Sequence, residues 1–103
     1  MLSEEQARKV AQEALEVIKQ LPGNEQLDMV ICETRIVESP EAWIFPFNSR
    51  EYVTTGNVRS MLIGVGPVVV NKLNGKAFVA PPLPMDKLIE QYKANGSEGY
   101  NWF

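Results

Sequence analysis

Residues 43–57 read WIFPFNSREYVTTGN, an aromatic strand pattern that runs without a break into a polar segment closed by Gly56. Trp43, Phe45 and Phe47 fall on one side of an extended chain, with Ile44 and Pro46 on the other. Pro46 cannot donate to a ladder, so it marks an edge position or a bulge. Alternation of this kind predicts one core-facing aromatic row. The polar run Asn48 to Asn57 then reads as a short strand or irregular crossing near Glu51 to Thr54, a turn at Gly56-Asn57, and a helical turn near Val58 to Leu62.

Upstream, residues 27–37 (LDMVICETRIV) are rich in β-branched residues and predict one strand, joined through the turn ESPEA to the aromatic strand as an antiparallel hairpin. Further upstream still, residues 3–21 predict a helix. Ser3 and Gln6 have capping-box spacing, and Glu4 and Glu5 sit at the positive end of the helix dipole. Ala7, Val10, Ala14, Val17, Ile18 and Leu21 form an apolar stripe, and Pro22-Gly23-Asn24 stops the helix. Downstream, PVVVNKLNGKAFVA carries a hairpin signal, with arms Val68 to Val70 and Ala77 to Val79 about the turn Leu73-Asn74-Gly75. Met85 to Ala94 predicts a second helix ended by Asn95-Gly96. Short antiparallel connections with segregated helices make an α+β fold: an N-terminal helix, an antiparallel sheet of about four strands, and a C-terminal helix. The 103 residues suit a single domain, 1–103.

Composition narrows the chemistry. Histidine is absent, which removes the commonest general base and the His-containing triads and zinc sites. The single cysteine, Cys32, can form no internal disulfide or thiolate metal site, and its place in a predicted strand suits a buried, inert thiol. The glycines of GVGP lack the context of a phosphate-binding loop, and no spacing singles out two of the 13 acidic residues as an acid/base pair. No enzyme, metal or cofactor is expected. A net charge of −3 with scattered basic residues gives no case for nucleic acid. The N-terminus has no apolar core of the signal-peptide kind, and the run MLIGVGPVVV is too short to span a membrane. A soluble protein of the reducing cytoplasm is the expectation.

Taken in order, WIFPFNS (43–49), Tyr52 with Thr55-Gly56, GVGPVVVNKLNGKAF (64–78) and Pro84 ahead of DKLIEQY (86–92) resemble the immunity protein 35 family, also called the YrhB-domain family. The resemblance covers roughly residues 5 to 93, and the tail GSEGYNWF lies outside it. Each motif alone is a plain strand or turn; the ordered set carries the likeness. It implies a small bacterial α+β protein that binds the cognate toxin of a polymorphic toxin system and blocks its active site, without catalysis of its own. A chaperone-like or small-ligand-binding domain is the alternative. Loops on rigid scaffolds concentrate binding residues, and Tyr with Arg is a common interface pair. Arg50, Glu51 and Tyr52 are therefore the expected partner contacts. Tyr100, Trp102 and Phe103 either dock on the sheet or form an exposed end. A homodimer through an exposed strand edge is also open.

Overall fold

Helix α1 spans Glu4–Lys19 and starts as its sequence dictates: Ser3 Oγ accepts from Gln6 N at 3.2 Å, and Ser3 N donates to Gln6 Oε1 at 2.9 Å. This computed structural model describes residues 1–22, 27–62, 66–80 and 87. The buried face of α1 is made by Ala7, Ala11, Ala14 and Leu15, with Val10 and Ile18 at its margin. That face is rotated from the predicted stripe. Val17 and Leu21 are 45% and 49% exposed, because three alanines one helical turn apart bring the α1 backbone close to the sheet and leave the bulkier residues outside.

The strands are β1 (Met29–Ile31), β2 (Val37–Glu38), β3 (Ala42–Phe45), β4 (Phe47–Ser49), β5 (Val68–Asn71) and β6 (Ala77–Val79). They form two antiparallel sheets, one of four strands in the order β2-β3-β5-β6 and one of two, β1-β4. The single sheet expected from the sequence is thus divided, and the strand expected over 27–37 is broken in two. The pairing that begins at Met29↔Ser49 continues to Cys32, whose N–H donates to Pro46 O at 2.7 Å. It resumes at Val37↔Ile44. One arm consumes Glu33–Arg35 and Ile36 over a span that the other crosses with Phe45 alone. The surplus forms a 3-10 turn, Glu33–Arg35, closed by Arg35 N donating to Cys32 O at 2.9 Å. Pro46 sits opposite, at the joint between β3 and β4, where its missing donor costs no ladder bond.

Trp43, Phe45 and Phe47 do share the face turned to α1, as the alternation predicts. Phe45 and Phe47 join Ala7, Ala11, Ala14, Leu15, Ile31, Val68, Val70 and Ala77 in one buried cluster, and Trp43 packs half-buried at its edge. The reverse face of the larger sheet carries Ala42, Ile44, Val69, Phe78 and Ala80, each 3% exposed or less. Burial on both faces explains why β5 reads Val-Val-Val rather than alternating.

The β5–β6 hairpin forms where its sequence places it. Asn71 Oδ1 accepts from Leu73 N at 2.8 Å, Gly75 N donates to Asn71 O at 2.9 Å, and Gly75 adopts φ 71°. The predicted helix Met85 to Ala94, apart from Lys87, and the aromatic tail lie outside the described residues.

Candidate functional site

The polar run after β4 is neither strand nor loop. Arg50–Thr55 forms a short helix, α2. Ser49 caps it, Oγ accepting from Tyr52 N at 3.1 Å, and Gly56 ends it at φ 75°, donating its N–H to Tyr52 O at 2.8 Å. Capping residues bracket the segment at both ends and prevail over the β propensity of Tyr52-Val53-Thr54. A second 3-10 turn, Val58–Ser60, follows, begun by Asn57 Oδ1 accepting from Arg59 N at 3.1 Å.

The three expected contact residues therefore sit together in the first turn of α2, with different duties. Arg50 is exposed, and its Nε donates to Asp28 Oδ2 at 2.8 Å while its backbone N–H donates to Asp28 O at the same distance. Both bonds follow from the β1–β4 register, which places Asp28 opposite Arg50. The hydrogen bond from Arg50 holds the Asp28 carboxyl below the usual carboxylate range.

Glu51 works inward along the chain. Its Oε2 accepts from Ser60 Oγ at 2.7 Å and its Oε1 from Asn57 Nδ2 at 3.0 Å. These two bonds, Ser60's first, lower its pKa and tether the second 3-10 turn to α2. Tyr52 is half-buried. Ser60–Leu62 is held beside β4 in turn: Ser49 Oγ donates to Ser60 O at 2.5 Å, and Leu62 N donates to Asn48 Oδ1 at 2.7 Å.

Two open clefts meet at Arg50. One, of about 450 Å³, is bounded by Leu27, Asp28, Ser49, Arg50, Glu51, Thr54, Ser60 and Leu62. The other, of about 610 Å³, lies between α1 and β1 and includes Lys9, Glu13, Glu16, Met29, Val30, Ile31 and Arg50 in its walls. Sequence reasoning singled out Arg50 but passed over Asp28, Glu13 and Glu16, whose neighbourhood is set by tertiary register alone. At the far end of β1, Arg8 Nη2 reaches Glu33 Oε1 at 3.0 Å and ties the 3-10 turn to α1.

Cys32 is partly exposed at the break after β1, not within a continuous strand, and desolvation raises its thiol pKa. Among the described residues no three acidic or cysteine side chains converge as a metal ion would need, and no helix is long and apolar enough to cross a membrane. Compared with known proteins, residues 5–95 match the family model described as immunity protein 35. No curated protein and no solved structure matches the chain.

Proposed function

Since the chain belongs to the immunity protein 35 family, we propose that it is a stoichiometric inhibitor that binds the cognate toxin of a bacterial polymorphic toxin system and occludes that toxin's active site in the cytoplasm. The family match over residues 5–95 carries this reading. Occlusion asks for a stable face, not for reactive groups, and a sequence without histidine suits it. An interface of standard size takes roughly 800 Å² from each partner, about an eighth of this protein's 6500 Å² surface.

The first turn of α2 is the proposed centre of contact. Arg50 stands on the rim shared by both clefts, with its side chain 59% exposed and oriented by Asp28. Tyr52, two residues on, adds a half-buried aromatic. An Arg held by a carboxylate loses less conformational freedom on binding than a free one.

The test is affinity capture of the tagged protein from its own cells, with the bound proteins identified by mass spectrometry. A single partner at equal stoichiometry, encoded beside this protein and toxic when expressed alone, is the expected result. Capture of many unrelated proteins in small amounts would instead fit the chaperone-like alternative and end the inhibitor reading.

A further inference from the structure

Asn48 is the middle residue of β4 and lies opposite Val30 in β1. Side chains alternate along a strand. Its neighbour Phe47 is buried in the cluster under α1, so Asn48 turns to the other face of the small sheet. There its amide meets the backbone of Leu62, Nδ2 donating to Leu62 O at 3.3 Å and Oδ1 accepting from Leu62 N at 2.7 Å. Oδ1 also accepts from Ser49 N at 2.8 Å. One side chain thus engages both the N–H and the C=O of a single distant residue, as a neighbouring strand would. A carboxamide carries the donor and the acceptor side by side, whereas a carboxylate has no donor.

The anchorage of Leu62 is passed on to α2. Two residues earlier, Ser60 O accepts from Ser49 Oγ at 2.5 Å, and Ser60 Oγ donates to Glu51 Oε2 at 2.7 Å. Glu51 lies in the first turn of α2, between Arg50 and Tyr52. Asn48, Leu62, Ser60 and Glu51 therefore make one connected path from β4 to that turn. Packing does little for the segment so held: every residue of 50–59 except Tyr52 is exposed. Apolar burial contributes little to its position, and hydrogen bonds decide it. The opposite holds in β5, where Val68, Val69 and Val70 are each 1% exposed or less.

We propose that Asn48 is a positioning residue for α2: by clamping Leu62 it sets Ser60 against Glu51 and so fixes the helix that presents Arg50 and Tyr52. The proposal rests on the inhibitor reading for the use of that helix as a contact surface, but not for its test. The side-chain bonds of Asn48 end on Leu62 and Ser49, so any effect of Asn48 on Glu51 has to travel through the backbone it clamps.

The experiment uses the full chain, labelled with ¹³C and ¹⁵N, and needs no partner. In the wild-type protein the Asn48 Nδ2 protons should exchange with solvent about tenfold or more slowly than those of exposed Asn74. In Asn48→Ala, the backbone amides of Ser60 and Met61 should exchange about tenfold faster relative to those of β5. Their own acceptors are Asn57 O and Val58 O, so the change would report the whole turn and not one deleted bond. The Glu51 carboxyl should at the same time titrate at a higher pH than in the wild type, nearer the ordinary glutamate range, because Ser60 no longer favours its charged form. Val30→Ala is the control. It trims the residue opposite Asn48, leaves the amide in place, and should leave the Glu51 midpoint where it was.

An unshifted Glu51 midpoint in Asn48→Ala, or an equal shift in Val30→Ala, would overturn the proposal. So would Asn48 side-chain protons that exchange as fast as those of Asn74, and this wild-type measurement decides even where Asn48→Ala does not fold. A toxin captured at equal stoichiometry alongside any of these results would leave the inhibitor reading standing. A shifted Glu51 midpoint in Asn48→Ala alone, without any captured toxin, would do the reverse.

Discussion

Lys72 holds its ammonium over the indole of Trp43, with Nζ 5.0 Å from the ring centroid, and binds Glu38 Oε2 at 2.6 Å. The same two residues fasten the start of the chain. Trp43 Nε1 donates to Leu2 O at 3.1 Å, and Leu2 N donates to Lys72 O at 2.9 Å. Trp43 is thus a clasp at the margin of the core, whereas Phe45, at 0% exposure, is its interior. Trp43→Phe should retain the apolar contact but lose the indole bond and part of the cation–π attraction, at a cost of about 1–2 kcal/mol. Trp43→Ala and Phe45→Ala should each cost about 3–5 kcal/mol, with Phe45→Ala the larger. Urea denaturation measures all three. An unchanged stability in Trp43→Phe would show that the clasp contributes nothing.

The caps of α2 should be worth measurable stability even though the helix is short. Ser49→Ala removes the acceptor for Tyr52 N and should cost about 1 kcal/mol. Gly56→Ala meets no steric obstacle, since nothing lies within 4 Å of an added Cβ. Its cost is backbone strain at φ 75°, about 1–2 kcal/mol. Thermal unfolding should register the Ser49→Ala loss as a Tm drop of about 4–8 °C. If Gly56→Ala were neutral, the left-handed end of α2 would not persist in solution.

Several features of this fold are legible locally because their causes are local. The Ser3–Gln6 capping box, the alternation of Trp43, Phe45 and Phe47, and the Asn71–Gly75 turn each depend on residues a few positions apart. The broken strand is different. Residues 27–37 have uniform β character, and the 3-10 turn at Glu33–Arg35 arises from pairing with a distant segment and from the Arg8–Glu33 contact. Helix α2 was hidden by its six-residue length, too short for apolar periodicity to emerge, although Ser49 and Gly56 were its visible boundary signals. At the candidate site, Arg50 could be chosen by residue type. Its bond to Asp28, and the cleft between α1 and β1 that opens beside it, are properties of topology that no local pattern encodes.

Glu51 gives the α2 segment an acid-sensitive tether. Hydrogen bonds from Ser60 and Asn57 favour its carboxylate in the folded state, so its folded pKa lies below its unfolded value. The stabilisation is then fully present above the ordinary glutamate value of about 4.3 and is lost as pH falls through the lower folded value. Removing the stronger of the two donors with Ser60→Ala should move the Glu51 midpoint upward, toward the ordinary value. Side-chain carbonyl NMR of Glu51 in the two proteins measures this directly. A midpoint that stays where it was would mean that Ser60 does not hold the carboxylate in solution.

The division of labour within Arg50–Tyr52 predicts three different outcomes on binding the captured toxin. Arg50 is exposed and its pairing with Asp28 is a surface one, so Arg50→Ala should change stability by less than about 1 kcal/mol. If Arg50 is a contact, the same change should weaken binding by about 1–3 kcal/mol, roughly 5- to 150-fold. Tyr52→Ala should weaken binding while leaving the fold intact, with a modest loss of stability from its half-buried ring. Glu51→Ala should act differently, because its carboxylate is already engaged by Ser60 and Asn57. Any loss of affinity there should be matched by faster amide exchange across 57–60, the signature of a loosened turn and not of a lost contact. Calorimetric titration of the three variants, read beside their exchange profiles, separates these cases. Wild-type affinity in both Arg50→Ala and Tyr52→Ala would move the contact surface away from α2.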